Sequence, residues 1–275
     1  MDYKIISFDL DGTLFGPDME ISRENSRALA ELVSRGVTVI ANTGRTYWEL
    51  PETARNESAF RYYSYSNGAV LYDKKTDTVL RSACMPNTLT SPIFDLLRTY
   101  RVSICVHAHG NGHLDINGHN EENYISHRVP EGFRIMYFSC IKATPEFERF
   151  LYETDAFESI VAFFADESER LECIEKLREI DGIFVVSTAA TNIEIVSKKA
   201  GKGHGLHALC DRLGIDRAAT IAVGDSVNDV DHILSAGLGL AMENAVPAAK
   251  EAAAAVVCRN TEPVAQYILD HYIAN

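Results

Sequence analysis

The sequence predicts an α/β fold: a doubly wound, Rossmann-like parallel sheet core with an inserted α+β domain. Two observations lead to this fold. Patterns of buried strands and amphipathic helices alternate near both ends of the chain. The middle is more acidic, because residues 84–190 hold 17 acidic and 9 basic side chains, whereas residues 1–83 hold 12 and 10. We therefore predict one domain from residues 1–83 and 191–275, and an inserted domain from residues 84–190.

The beginning of the chain is typical of a strand, a helix and a second strand. Tyr3–Phe8 is a short apolar run that ends at Asp9, which indicates a buried strand opening into a loop. Ser22 is a good N-cap for a helix with an apolar face, and Gly36 suits the C-terminal end of that helix. Val37–Ala41 is the second apolar run. Units of this kind build parallel sheets with right-handed crossovers.

The last third of the chain repeats the same alternation. The predicted strands are Asn192–Val196, Ala219–Val223 and Leu238–Ala241, and the predicted helices are Gly203–Leu213, Val227–Ala236 and a tail from Thr261. Because both ends of the chain alternate in the same way, we expect them to join in one sheet.

The middle of the chain has a different pattern, which suits an α+β domain. The predicted helices are Thr90–Tyr100 and Ser168–Ile180, and the predicted strands are Val102–His107, Phe133–Ile141, Ser159–Ala165 and Phe184–Ser187. The stretch His109–His113 is typical of the tip of a β-hairpin.

The composition is that of a globular protein with a strong negative charge. The 275 residues carry 39 acidic and 26 basic side chains, a formal net charge of −13. Such a mean field repels nucleic-acid phosphates and anionic membrane surfaces, so we expect neither as a partner. The charge still permits a local pocket that binds a small anion.

The first residues and the cysteines point to the cytoplasm. Charged residues interrupt the first apolar run, unlike a signal peptide, and no apolar stretch reaches the ~18 residues of a membrane span. The six cysteines are scattered without a CxxC pair, which indicates reduced thiols. We therefore expect a cytoplasmic protein.

Two aspartates follow the first predicted strand, in the sequence Asp9-Leu10-Asp11-Gly12-Thr13-Leu14. Ligands of open α/β sheets bind outside the carboxyl ends of the strands, so these carboxylates face the expected site. One such aspartate can stay ionised as a nucleophile or metal ligand, while the other exchanges protons. An Asp-Gly turn without any chemistry would show the same residues.

Two further segments suit a bound anion. Thr43-Gly44-Arg45 follows the second strand, where a hydroxyl and backbone N–H groups form an anion cradle, although a simple helix N-cap would use the same threonine. Lys202 lies at the mouth of a predicted helix, where it suits phosphate neutralisation. The run around Lys202 is not a Walker loop, because Val196 and Gly203 stand where that motif needs Gly and Ser or Thr.

The fourth segment is Gly224-Asp225-Ser226-Val227-Asn228-Asp229, which again follows an apolar strand. Its carboxylates would face Asp9 and Asp11 across adjacent strand ends. An oxygen-rich cluster without His or Cys suits Mg²⁺. Four like charges at such distances would repel strongly unless a divalent cation were present, so the cluster itself implies a metal.

Together, the four segments resemble the haloacid dehalogenase (HAD) superfamily of phosphotransferases, in particular its Cof-type phosphatases with a large α/β cap. The family signatures correspond to DLDGTL at 9–14, TGR at 43–45, K-G-x-x-L at 202–206 and GDSxND at 224–229. The resemblance makes residues 1–83 and 191–275 the HAD-like catalytic core, and residues 84–190 the cap that sets substrate specificity. Asn42 departs from the family, which more often has a small residue at that position.

The resemblance implies a role for each motif residue. Asp9 would attack the phosphorus and form an aspartyl-phosphate, while Asp11 would protonate the leaving oxygen and then activate water. Thr43 and Lys202 would complete the catalytic set. The implied phosphate ligands are Leu10, Thr43, Gly44, Lys202 and Asn228, and Arg45 is a candidate substrate ligand. Mg²⁺ would bind Asp9, the Asp11 carbonyl and Asp225, and Asp229 would orient Lys202 or a metal-bound water.

We therefore expect a Mg²⁺-dependent phosphatase that hydrolyses a small phosphorylated metabolite, in particular a sugar phosphate. Asp11 favours phosphate chemistry, because dehalogenases of the superfamily lack an acidic residue at that position. One alternative is a phosphomutase or phosphotransferase that acts on a sugar phosphate. Another is a phosphate-accepting signalling domain, which the long insertion makes less favoured, because such domains are commonly small and single. The sequence is compatible with a monomer or a small homo-oligomer.

Overall fold

The computed structural model describes residues 2–187 and 189–273 of the chain, which form two compact units. The first unit comprises Met1–Ser82 and Ala200–Asn275, and the second comprises Ala83–Lys199. The strands are β1 (Ile5–Phe8), β2 (Thr38–Asn42), β3 (Phe60–Tyr65), β4 (Val70–Asp73), β5 (Thr78–Ser82), β6 (Val102–Ala108), β7 (Asn111–Asp115), β8 (Lys142–Thr144), β9 (Phe157–Phe164), β10 (Ile183–Val186), β11 (Asn192–Ser197), β12 (Thr220–Gly224), β13 (Leu238–Ala241) and β14 (Ala255–Val256).

The helices are α1 (Arg23–Ser34), α2 (Glu52–Asn56), α3 (Asn87–Leu97), α4 (Glu121–Ser126), α5 (Glu131–Cys140), α6 (Phe147–Glu153), α7 (Glu167–Leu177), α8 (Lys202–Leu213), α9 (Val230–Ser235), α10 (Pro247–Ala252) and α11 (Val264–Tyr272). Within residues 2–187 and 189–273, none of them is long and apolar enough to cross a membrane. None of the six cysteines, all within the described residues, forms a disulfide.

The first unit is built on an eight-stranded sheet with the order β14-β13-β12-β1-β2-β3-β4-β5. The strands from β14 to β3 are parallel, and β4 and β5 extend the sheet in antiparallel fashion. Strand β1 is fully buried, as its mainly apolar sequence predicts for the centre of such a sheet. The predicted α/β fold class, joined from both ends of the chain, is confirmed.

The first helix is fixed at its start by side chains that the sequence supplies locally. Ser22 caps α1 by accepting a hydrogen bond from the N–H of Asn25 at 3.1 Å, as predicted. Asn25 is itself buried, donating to the carbonyl of Leu14 and accepting from the N–H of Ala265. Asn25 therefore ties α1 to the turn after β1 and to the C-terminal helix.

Helix α8 covers a face of the sheet whose side chains change from apolar to polar along the strands. Ile5, Ile40 and Tyr62 pack against Leu206 and Leu209 of α8. Two residues further along their strands, the side chains on this face are polar: Ser7, Asn42 and Ser64, all fully buried. The face is therefore apolar in the middle of the sheet and polar at the carboxyl ends of the strands.

Gly68 allows the β3–β4 loop to approach the start of α8. Its φ is +76°, and an added Cβ would lie 2.0 Å from the carbonyl oxygen of Gly201, next to Lys202. Gly36 has a similar φ of +81° but open space around it.

We expect Gly36→Ala to lower the unfolding free energy by about 1 kcal/mol, through backbone strain alone. Gly68→Ala adds a backbone clash and should cost about 2–4 kcal/mol in urea unfolding. Equal costs for the two variants would contradict this explanation.

The second unit is a six-stranded sheet with the order β10-β11-β9-β6-β7-β8 and helices on both faces. Neighbouring strands are antiparallel except β7 and β8. Helices α3, α6 and α7 pack on the face that includes Val106 and Ile160. Helices α4 and α5 pack on the opposite face, against Cys105, Val161 and Phe163. The predicted hairpin is confirmed, since Ala108 of β6 pairs with Asn111 of β7 across a loop of two residues, His109 and Gly110.

Two sequence-based predictions differ from the structure. Phe133–Ile141 was predicted as a strand, but residues 131–140 form α5. Apolar residues at 133, 135 and 137 fit an alternating pattern, yet Phe133, Met136 and Tyr137 are the ones that pack on the sheet, with helical spacing.

The strand at Asn192–Val196 exists as β11, but it belongs to the second unit rather than the first. It pairs with β9 and β10, so the second unit extends from 83 to 199 instead of 84 to 190. Its alternation of buried Ile193 and Ile195 with partly exposed Glu194 suits a strand of an antiparallel sheet that has one face more fully covered than the other at this position. Several short elements were not predicted: α2, α4, α6, α10, β3, β4, β5, β8 and β14.

Candidate active site

A buried lysine between two aspartates lies at the carboxyl ends of the central strands. Asp9 follows β1, and Lys202 is the first residue of α8. The Lys202 ammonium donates to Asp9 Oδ1 at 2.6 Å and to Asp229 Oδ1 at 2.7 Å. Relative exposure of the three residues is 3% or less, so these charged hydrogen bonds are shielded from water. The sequence placed these residues in three separate motifs, and the fold brings them into one contact.

The loop after β12 holds Asp229 in place. Asp229 Oδ2 accepts from the backbone N–H groups of Asp225 and Ser226, at 3.1 and 3.0 Å. A Cβ on Gly224 would lie 2.4 Å from the Asp229 carboxyl carbon, so only glycine admits the carboxylate there. With Lys202 on Oδ1, both oxygens of Asp229 have hydrogen-bond partners.

The charged groups in this cluster shift one another's pKa values. Burial would lower the pKa of Lys202, but the carboxylates of Asp229 and Asp9 raise it, so the lysine is protonated. Burial would raise the pKa of Asp229, yet Lys202 and His232 hold it below its usual value. Burial and the neighbouring Asp229 raise the pKa of Asp9 well above its usual value, and they raise the pKa of Asp225 to about 6.

Three carboxylates here could share a cation. One oxygen from each of Asp9, Asp225 and Asp229 lies within 4.8 Å of the others. Asp225 Oδ1 is buried and has no hydrogen-bond partner within the described residues. An unpaired buried carboxylate oxygen is costly, and a hard divalent cation such as Mg²⁺ would satisfy it. The donor set therefore fits such a cation.

Gly12 brings the first motif against this cluster. Its φ is +75°, and a Cβ at this position would lie 2.3 Å from Asp225 Oδ2. The side chain of Asn244, in the segment after β13, donates to the Gly12 carbonyl at 2.8 Å and anchors the turn. Leu10, a predicted phosphate ligand, is buried in the same turn, where its carbonyl accepts from the N–H of Phe15.

Asp11 lies apart from the carboxylate cluster because Arg45 holds it. The Arg45 guanidinium donates to both Asp11 oxygens, at 2.8 and 2.7 Å. Its remaining nitrogen Nη1 donates to the carbonyl of Glu49. This bidentate geometry fixes the plane of the carboxylate. The sequence made Arg45 a candidate substrate ligand, and in the structure its guanidinium binds Asp11.

The predicted phosphate ligands Thr43, Gly44 and Asn228 are only partly brought together. Thr43 is buried, its hydroxyl accepts from the N–H of Arg45, and its own N–H donates to the carbonyl of Ser64. A Cβ on Gly44 would lie 3.4 Å from Asn228 Nδ2, which donates to Asn67 Oδ1. Gly44 and Asn228 are therefore neighbours although they follow different strands.

Sequence analysis missed two buried residues beside Lys202 and Asp229. His232 Nδ1 lies 3.7 Å from Asp229 Oδ1, and His232 Nε2 lies 2.8 Å from Ser7 Oγ. A polar residue inside the buried strand β1, and a histidine three residues after Asp229, were the available signals. Their burial is decided only when β1 and α9 meet.

Comparisons with known proteins give a consistent result. A family model described as haloacid dehalogenase-like hydrolase matches residues 6–268. The chain is 27% identical to the 5-amino-6-(5-phospho-D-ribitylamino)uracil phosphatase YcsE of Bacillus subtilis over 273 residues, 99% of this chain and 97% of that protein. It is 29% identical to the phosphatase YwpJ of the same organism, over 98% of this chain and 100% of that protein.

The fold agrees with a solved structure over 98% of the chain. A haloacid dehalogenase-like hydrolase from B. subtilis superposes with a TM-score of 0.80 at 25% identity, covering 98% of this chain and 100% of that one. The match includes both units, so the insertion is shared with that structure.

Proposed function

Because the chain belongs to the haloacid dehalogenase-like hydrolase family and is a phosphatase of it, we propose that it hydrolyses a small phosphorylated metabolite through a phosphoryl group carried on Asp9. One observation carries the proposal: a buried, protonated lysine lies between two carboxylates, with a third carboxylate that has an unpaired oxygen beside them. A nucleophile, a fixed positive charge and a cation site are the groups that phosphoryl transfer needs.

The first half of the proposed reaction uses Asp9 and Asp11. A carboxylate oxygen of Asp9 forms a bond to phosphorus while the bond from phosphorus to the leaving oxygen breaks. Asp11 gives its proton to that leaving oxygen, so the alcohol departs neutral. Since both Asp11 oxygens accept hydrogen bonds from Arg45, Arg45 must release at least one of them, and that oxygen must take up a proton from solvent, before this step.

The second half regenerates the enzyme. Water adds its oxygen to phosphorus, its proton passes to Asp11, and the bond between phosphorus and Asp9 breaks to release inorganic phosphate. Asp11 is then protonated again for the next substrate, and Asp9 is again a carboxylate.

The site provides local positive charge for a phosphate although the net charge of the chain is negative. Lys202 faces Asp9 directly, so it lies beside any phosphoryl group that Asp9 receives and neutralises its oxygens. Thr43, Asn228 and the backbone N–H groups of Leu10 and Gly44 are the proposed neutral donors. Bound through Asp9, the Asp11 carbonyl and Asp225, Mg²⁺ would supply the charge that keeps the carboxylates ionised and screens the phosphate.

The proposed substrate class is a sugar-like phosphate ester. The cap, predicted as residues 84–190 and corresponding to the second unit at 83–199, would select this substrate. In support, the relative YcsE is named for a substrate with a phosphorylated D-ribityl chain. The proposed setting is the cytoplasm, where such metabolites occur.

A metal-removal experiment tests the proposal. We expect the purified chain with Mg²⁺ to release phosphate from p-nitrophenyl phosphate and from a panel of sugar phosphates, to lose activity in EDTA and to regain it with excess Mg²⁺. Asp225→Asn should raise the Mg²⁺ concentration for half-activity by about 10–100-fold, because it weakens the donor set. The exposed Asp216 is the matched control for an Asp→Asn change. Full activity in EDTA would refute the metal dependence.

A further inference from the structure

Three fully buried polar side chains of the first unit have no part in the chemistry described above. They are Ser7 of β1, Asn42 of β2 and His232 of α9. We call this set the buried polar chain. Each occupies a position that an apolar residue of similar size could fill, so the polar groups need a reason to be there.

One end of the buried polar chain contacts the backbone of Lys202. Asn42 Nδ2 donates to the Lys202 carbonyl at 2.9 Å and to Ser7 Oγ at 3.3 Å. The Lys202 carbonyl lies in the first turn of α8, so this bond fixes the helix start against β2.

The other end contacts the carboxylate that holds the Lys202 ammonium. His232 Nε2 lies 2.8 Å from Ser7 Oγ. His232 Nδ1 lies 3.7 Å from Asp229 Oδ1, the oxygen that accepts from Lys202 Nζ. The contacts therefore form a closed ring: from the Lys202 carbonyl through Asn42, Ser7, His232 and Asp229 back to the Lys202 ammonium.

The ring constrains both ends of one lysine. A lysine side chain has four flexible bonds, and the charge it delivers depends on where its ammonium stays. Asn42 fixes the main-chain end, while His232 faces the carboxylate at the other end. The interior around the ring excludes water, which strengthens its hydrogen bonds, while His232 Nδ1 makes a polar contact of 3.7 Å with Asp229 Oδ1 rather than a hydrogen bond.

We propose that Ser7, Asn42 and His232 are positioning residues, which hold Lys202 and Asp229 so that the lysine ammonium stays against Asp9. None of the three touches the reacting atoms. The catalytic consequence rests on the proposed function, whereas the effect on the Lys202 ammonium does not.

Ser7→Ala is the mildest test, because it replaces only the hydroxyl at the centre of the buried polar chain by hydrogen. With Mg²⁺ and p-nitrophenyl phosphate, we expect kcat to fall about tenfold while KM changes less than threefold, since the ammonium position matters most in the transition state. Ser64→Ala is the matched control: Ser64 is equally buried, pairs with Asn42 in the sheet, and its hydroxyl has no hydrogen-bond partner within the described residues. We expect Ser64→Ala to retain the wild-type kcat.

Substitutions of His232 separate its two contacts from its packing. His232→Leu removes both nitrogens, and we expect kcat to fall about 30-fold. His232→Asn keeps a polar group at the place of Nδ1, facing Asp229, and should recover part of that loss. Thermal unfolding of all variants identifies those that fold, and Ser7→Ala keeps the test valid if His232→Leu does not fold.

The ¹⁵N resonance of the Lys202 ammonium reports on the surroundings of that group, and measuring it requires no activity assay. It can be assigned by its loss in Lys202→Met, and a buried, hydrogen-bonded ammonium exchanges slowly enough to observe. We expect Ser7→Ala to shift this resonance and Ser64→Ala to leave it unchanged. An unshifted resonance together with kcat within twofold of wild type would refute the proposal, as would an equal loss of kcat in Ser64→Ala. A shifted resonance in a chain without phosphatase activity would support the positioning and refute the proposed function.

Discussion

Asp9→Asn is expected to lower kcat about 10⁴-fold, because an amide cannot attack phosphorus and the covalent step has no substitute. The substitution keeps the shape of the side chain, and its oxygen can still accept the hydrogen bond from Lys202, which donates to Asp9 Oδ1 at 2.6 Å in the wild type. Lys202 keeps its ion pair with Asp229, so its charge stays compensated, and we expect the unfolding free energy to change by less than about 1 kcal/mol. Steady-state phosphate release and urea unfolding measure the two quantities.

Rapid acid quenching gives a second measure of the same step. During turnover the wild type should carry a phosphoryl group on the peptide that contains Asp9, and Asp9→Asn should carry none. Asp18→Asn is the control, because Asp18 is an exposed turn residue whose side chain accepts from the N–H of Glu20. If Asp9→Asn kept more than a tenth of the wild-type kcat, Asp9 would not be the nucleophile.

Lys202→Met is expected to damage both stability and activity. Lys202 is 1% exposed and binds two buried carboxylates. Removing one member of a buried ion pair leaves uncompensated charge, which costs about 3–5 kcal/mol of unfolding free energy. The same change removes the positive charge beside the phosphoryl group, so kcat should fall about 10³-fold. Urea unfolding and steady-state kinetics on the folded fraction measure these losses.

A double substitution tests the cause of the instability. If unpaired carboxylates destabilise Lys202→Met, then Lys202→Met with Asp229→Asn should regain about 1–2 kcal/mol of the loss. Lys198→Met is the control: Lys198 is an exposed lysine that pairs with the exposed Asp181 at 3.4 Å, so its loss should cost less than about 0.5 kcal/mol. A Lys202→Met variant as stable as the wild type would contradict the buried ion-pair explanation.

The central strands and the catalytic motifs were predictable because their signals are local. An apolar run that ends in Asp9 or Asp225 marks a buried strand and the residue after it, and Ser22 marks the start of α1 within a few residues. The family and the phosphatase activity followed from four such segments in order, and the comparisons confirm both.

The second unit was predicted less well because its short elements have ambiguous periods. Phe133–Ile141 contains apolar residues that suit both a strand and a helix, and the choice between them depends on what α5 packs against. The strand at Asn192–Val196 has no local mark of the sheet it joins. Its pairing with β9 is a contact between distant parts of the chain.

The sequence by itself determined that Asp9, Asp11, Thr43, Lys202, Asp225 and Asp229 stand at strand and helix ends, because backbone geometry there follows from a few neighbouring residues. Only the tertiary structure decided their partners. Arg45 binds Asp11 rather than being directed solely to a substrate, and Lys202 is shared between Asp9 and Asp229. Likewise, Ser7 and His232 meet across 225 residues of sequence. Such pairings depend on how strands and helices pack over one another, and no local pattern encodes that.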